Sequence, residues 1–286
     1  MFNRETDMGT PHIIPRRMDF PFDPTTVPRH WFGGNATASL KVNSINLIFP
    51  DGEQFFIRSV KHYLPQITDP DLKARARAFF AQEALHGREH ARANDVLREQ
   101  GFELDSWLVW YKRTAFGRIE KHSPPIFRLA VTAALEHLTA SLAHQTLTND
   151  LFQNATPVMR DLMAWHAAEE IEHKSVAFDV LQAVNSSWLL RVAGMVWALV
   201  TFLIFWSSAW RHLSKQDPAI TREQMRIDRQ QIAGWGIPDT RKNLIRYALR
   251  YFRPTFHPDD QDDYPLAASA LERIVAAYPR REASAL

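Results

Sequence analysis

At 286 residues with a formal charge of +2, 45% apolar residues and no cysteine, the chain has material for one large domain or two small ones with a sizeable core. So small a charge, carried by basic residues scattered along the chain, argues against a nucleic-acid partner. Without cysteine, disulfides and thiolate metal sites are excluded, so any metal must be held by nitrogen and oxygen, and a reducing compartment is expected.

The N-terminus, Met-Phe-Asn-Arg-Glu-Thr-Asp, lacks the apolar run of a secretory signal, which points to the cytoplasm. Residues 1–36 carry five prolines and no helical period, and are expected to form an extended arm packed on the outside of the molecule by its aromatics. Helical spacing begins at Thr37 and runs to about Leu64, with Pro50-Asp51-Gly52 as a kink or restart just before Glu53. A second helix should start at Asp69-Pro70-Asp71, an N-cap aspartate with proline at the first helical position, and stop before Gly101. Residues 101 to about 125 read as a long crossover. A third helix is expected from Ile126 to Thr148 and a fourth from Pro157 to Val184.

Chemistry concentrates on these helices. Glu83 and His86, and again Glu170 and His173, form Glu-x-x-His pairs, and three residues on a helix bring both side chains to one face where they can grip one ion. Glu53 and Glu136 interrupt apolar stripes. The inward stripe of the second helix, Leu72, Ala76, Phe79, Glu83, His86, His90, Asn94 and Leu97, aims hydrated groups at a core, which is costly unless a cation pairs them. The chain order Glu, Glu-x-x-His, Glu, Glu-x-x-His is that of ferritin-like di-iron and di-manganese bundles. The predicted fold is therefore all-α, a ferritin-like four-helix bundle over 37–185 with additional C-terminal helices over 186–286. Its ligands are Glu53, Glu83, His86, Glu136, Glu170 and His173. His166 lies one turn before Glu170 and is either a seventh ligand with a catalytic role or a satisfied core histidine; His90 is its competitor. Glu169 and Glu172 point off the stripe, toward solvent or the outside of the site. His137 and His144 share a face rotated away from Glu136 and are expected behind the ligands or at the surface.

Several long motifs, among them Arg-Arg-Met-Asp-Phe, Gln-Glu-Ala-Leu-His-Gly-Arg-Glu-His and Trp-His-Ala-Ala-Glu-Glu-Ile-Glu-His, make residues from about 15 to 255 resemble a bacterial family of predicted metal-dependent hydrolases. The ligand pattern is also similar to that of the di-iron arylamine N-oxygenases, a resemblance that implies a seventh, histidine ligand at the position of His166.

From Val192 to Trp210 the chain has 19 uncharged residues edged by tryptophans, long enough to cross a bilayer, to lie in one as an anchor, or to form a fully buried helix or dimer seam. Arg241 to Arg253 reads as a basic amphipathic helix with Lys242, Arg246, Arg250 and Arg253 opposite Ile245, Leu249 and Phe252, suited to an anionic membrane or to solvent. The acidic turn from Asp259 to Asp263 lacks calcium-loop spacing and is expected to be solvated. A last helix is placed from Pro265 to Tyr278, followed by a frayed tail.

The expected function is a two-metal enzyme, with two iron ions or manganese, acting on an apolar or aromatic small molecule as an oxidase or oxygenase with dioxygen. The alternatives are metal-dependent hydrolysis and metal storage or peroxide detoxification. A homodimer, in the cytoplasm or at the inner face of the membrane, is expected.

Overall fold

A computed structural model describes residues 13–236 and 240–278; the expectations for residues 1–12 and for the tail after Tyr278 lie outside the described residues. The all-α expectation holds. Among the described residues the only β-pairing is an isolated bridge between Phe32 and Ala155.

The helices are α1 (Ala36–Asn46), α2 (Phe49–Tyr63), α3 (Pro70–Glu99), α4 (Asp105–Thr114), α5 (Pro125–Thr148), α6 (Pro157–His173), α7 (Val176–Val184), α8 (Trp188–Ser214), α9 (Arg222–Gly234), α10 (Thr240–Tyr251) and α11 (Tyr264–Ala277). Their starts follow local chemistry. Asp69 caps α3 by accepting the Asp71 N–H at 2.9 Å, and prolines occupy the first turns of α3, α5 and α6, where a missing N–H costs nothing. Gly101, at φ +86°, reverses the chain beyond α3.

Helices α2, α3, α5 and the α6–α7 pair pack on one another. Their shared interior is apolar at the α7 end, where Phe79, Leu129, Ala133 and Val180 are fully buried, and becomes polar midway.

The structure departs from the sequence reading at several points. The helix expected from Thr37 to Leu64 is two, broken at Leu47-Ile48, and Pro50 falls in the first turn of α2, where proline is tolerated. The crossover is helical: α4 passes into a π-helix over Ala115–Glu120 and buries Trp107 and Tyr111. The fourth helix breaks directly after His173, where Lys174 turns out of the bundle to pair with Asp263 at 2.5 Å. Asp263 is consequently buried and also meets His144 Nδ1 at 3.2 Å, so the acidic turn is not wholly solvated. Nor is the N-terminal segment an outer wrapping: Met18, Phe20, Val27, Trp31 and Phe32 are core residues.

Helix α8 lies along α5 and α1. It is not fully buried: Met195, Ala198, Phe205, Ala209 and Leu213 face inward, while Leu189, Val196, Val200, Leu203 and Ile204 remain exposed. By length and composition both α5 and α8 could cross a membrane, but α5 is mostly enclosed by the bundle. On α10 the buried face is Ala248 and Tyr251, and Ile245 and Leu249 stay exposed on the same outer surface as the basic residues, so the apolar and basic sectors adjoin rather than oppose.

Helix α8 comes close to α5 at Gly194, where an added Cβ would stand 2.7 Å from the Ala130 carbonyl carbon and oxygen. Gly194→Ala should therefore lower stability in urea or thermal unfolding by about 1–3 kcal/mol. Gly234→Ala, whose Cβ would meet nothing within 4 Å, should be neutral or slightly stabilising. Equal effects from the two would show that α8 does not depend on this contact.

Candidate metal centre

Midway along the bundle, α2 contributes Glu53, α3 contributes Glu83 and His86, α5 contributes Glu136, and α6 contributes His166, Glu170 and His173; all are buried. The structure brings these side chains into one cluster. Ligating atoms of Glu53, His86 and His166, of Glu83, Glu136 and His173, and of Glu83, His86 and Glu170 form three groups, each with its atoms within 4.8 Å of one another. His173 Nε2 lies 3.1 Å from Glu83, 3.4 Å from Glu136 and 3.5 Å from Glu170. His86 Nδ1 lies 3.6 Å from Glu170 and 3.8 Å from Glu83. Close packing of α3 on α2 makes room for this: a Cβ at Gly87 would stand 2.9 Å from Glu53 Oε2.

Whether a metal fits can be read from what the cluster leaves unpaired. Both carboxylate oxygens of Glu53, Glu83 and Glu136, one of Glu170, and the inward nitrogens His86 Nδ1 and His173 Nε2 are buried without a hydrogen-bond partner. The outward nitrogens of the two rings are, by contrast, engaged. His86 Nε2 donates to Glu169 Oε2 at 3.1 Å and His173 Nδ1 donates to Gln82 Oε1 at 2.9 Å. That leaves the other nitrogen of each ring aimed at the carboxylates, which matches the way ligating imidazoles are oriented from behind. Four carboxylates and two such imidazoles suit a pair of hard-to-borderline transition-metal ions, and the residues fit.

Without metal, the cluster must balance itself with protons. Burial and the neighbouring carboxylates push Glu53 and Glu83 well above the usual carboxylate range, and burial pushes Glu136 up to about 7. Burial opposes charge on Glu170 and His173 as well, yet their mutual attraction prevails, holding Glu170 well below and His173 well above their ordinary values.

Of the outer partners, Gln82 and Arg16 were not identified from sequence. Gln82 adjoins Glu83 yet serves His173, and Glu169 adjoins Glu170 yet serves His86, so each motif carries the support for the other. Arg16 ties them together: it donates to Glu172 at 2.7 and 2.9 Å and to Glu169 at 3.1 Å, while Gln82 donates to Glu172 at 2.8 Å. Glu169 and Glu172 thus stand behind the cluster rather than in solvent. Their off-stripe phase on α6 left that position open from the sequence; a contact from Arg16, more than 150 residues away in the chain, carries no local signal.

His166 is engaged on both sides, with Nε2 2.9 Å from Glu170 Oε1 and 3.9 Å from Glu53, and Nδ1 2.5 Å from His90 Nε2. His90 therefore sits behind His166 rather than competing for its place, and Phe49 packs on both rings. His137 and His144 are away from the cluster. His137 Nε2 donates to the Tyr247 carbonyl at 3.0 Å, and burial pulls the ring down to about 4; His144 faces Asp263.

A cavity of about 870 Å³ reaches Glu53, His166 and Glu170 and is otherwise walled mainly by apolar side chains, including Ile48, Phe49, Leu135, Leu142 and Phe202. It extends to Leu203 of α8 and to Ile245 and Leu249 of α10, which are 51%, 63% and 61% exposed.

Residues 14–262 match a family model described as predicted metal-dependent hydrolase. No curated protein and no solved structure matches the chain.

The charge balance makes a prediction for protein held in chelator. Because the Glu53 pKa is raised by folding, its contribution to stability is complete below the unfolded value of about 4.3 and is lost as pH rises through the folded value. Glu53→Gln removes that loss, so it should raise the Tm of the chelated protein at pH 8 by more than at pH 5. A variant that is destabilised equally at both pH values would contradict the charge argument.

Proposed function

The chain belongs to the family of predicted metal-dependent hydrolases, and from that premise we propose that it is a two-metal enzyme that hydrolyses a largely apolar small molecule held in the cavity. The observation that carries the metal assignment is the set of buried carboxylate and imidazole atoms left without partners around one point. Glu53, Glu83, His86, Glu136, Glu170 and His173 would hold two ions, with His166 as a seventh ligand, on four helices in ferritin-like order. Bound there, the ions would supply Lewis acidity and activate water.

The chain's own residues do the rest. Apolar walls orient the substrate and exclude bulk water, which strengthens charge interactions at the cluster. His166 lies between Glu170 and His90, which aims its Nε2 at the cluster as a seventh ligand requires. Gln82, Glu169 and Arg16 keep the ligand rings aimed.

A second reading, an oxidase or oxygenase using iron and dioxygen, is supported by the cavity beside the cluster, which has few polar groups to bind a hydrolysable bond. The two readings separate on one preparation. Zinc- or manganese-loaded protein is assayed on medium-chain esters, and the ferrous form is assayed for dioxygen uptake with apolar substrates. Ester cleavage without dioxygen uptake is expected; substrate-dependent uptake without hydrolysis would replace hydrolysis by oxygen chemistry, and neither activity would overturn both. In the active form His166→Ala should lower turnover at least tenfold while retaining metal.

The exposed apolar face of α8, next to the basic surface of α10, supports a resting place on the inner face of an anionic membrane. Flotation with anionic vesicles should carry the protein upward, and Leu203→Glu with Val200→Glu should leave it at the bottom. A dimer that these substitutions dissociate, with no flotation of the parent chain, would assign the face to a second copy instead.

A further inference from the structure

Beside the apolar cavity lies a second pocket, of about 430 Å³, lined by Asp51, Arg58, Lys112, Phe116, Glu120, Lys121 and Arg128. The two share Phe116, Glu120 and Arg128, so the polar pocket adjoins the apolar one along a common wall. Four cationic side chains face two carboxylates there, an excess of two positive charges.

The existing ion pairs do not use up this charge. Glu120 accepts from Arg58 at 3.0 and 2.8 Å and lies 3.7 Å from Arg128 Nη1, so one carboxylate serves two guanidinium groups. Lys112 pairs with Asp51 at 3.3 Å. Lys121 is exposed and has no ion-pair partner among the described residues. Arg128 Nε, on the shared wall, is buried with no hydrogen-bond partner, and an orphaned charged donor of this kind calls for an acceptor.

Resting on the reading of the large cavity as the substrate's place, we propose that the substrate is a single-chain amphiphile with an anionic head, a carboxylate or a phosphate monoester. Its chain fills the apolar cavity and carries the bond to be cleaved, an ester, beside Glu53, His166 and Glu170, while its head is held by Arg128 and Lys121 with Arg58 and Lys112 around it. An uncharged molecule of the same length would leave the excess positive charge and the Arg128 Nε–H unanswered.

Binding tests this without turnover, by titrating full-length protein, metal-loaded as purified, with dodecanoate, dodecyl phosphate, dodecanol and inorganic phosphate below micellar concentrations. Dodecanoate and dodecyl phosphate should each bind at least tenfold more tightly than dodecanol, with a preference that shrinks as salt rises. Arg128→Gln and Lys121→Gln should each reduce that preference while leaving dodecanol affinity within twofold; Lys121, being exposed, can be replaced without endangering the fold. Thr139→Trp, which narrows the large cavity, should weaken all three chain-bearing ligands. Equal affinity for dodecanoate and dodecanol, a preference untouched by both charge variants, or inorganic phosphate binding as tightly as dodecyl phosphate would overturn the proposal. Selective binding by a protein with neither hydrolytic nor oxygen-dependent activity would sink the functional reading while leaving this one standing.

Discussion

Everything in this molecule is arranged around the difficulty of burying four carboxylates beside one another. An isolated carboxylate taken out of water costs several kcal/mol, and here Glu53, Glu83, Glu136 and Glu170 share one interior with His86, His166 and His173. The fold opposes their dispersal: they come from four helices packed on one another, and close contacts such as Gly87 on α2 leave them little room to turn away. Cations must therefore enter, or protons must be retained, and the unpaired inward atoms of the imidazoles point to the former. The strain of the cluster is held by ordinary apolar packing on either side, from Phe79 and Val180 at one end to Leu162 and Trp165 within the other core.

Much of this was legible in the sequence because it rests on local periodicity. Glu-x-x-His at helical spacing, and a glutamate within an apolar stripe, need only the pitch of a helix to be placed together, and the capping aspartate and first-turn prolines mark where those helices begin. What escaped depends on contacts across the chain. The break after His173 is made by Lys174 reaching Asp263, and the support of His86 and His173 runs through Arg16 from a segment with no period at all. The helix inside the crossover went unplaced because it is short and its buried side, Trp107 and Tyr111, is aromatic rather than a long aliphatic stripe.

The same constraint links the site to the surface. A cluster sealed on every side would have no use for a substrate, and the cavity gives it one opening into apolar surroundings, bounded by α5, α8 and α10. Helix α8 is apolar on both faces because one covers α5 and the other is left outside, beside exposed Ile245 and Leu249. Family membership names a reaction class, whereas the walls of the cavity speak to the substrate; the two kinds of argument meet at His166, which lines the cavity and touches the cluster.

The central claim is that cations neutralise the buried carboxylates, and metal stoichiometry tests it most directly. Protein exposed anaerobically to excess ferrous or manganous ion, then desalted and subjected to elemental analysis, should retain two ions per chain and unfold at a higher temperature than the chelated form. Retention of less than one ion per chain, with a Tm that chelator does not change, would contradict the account.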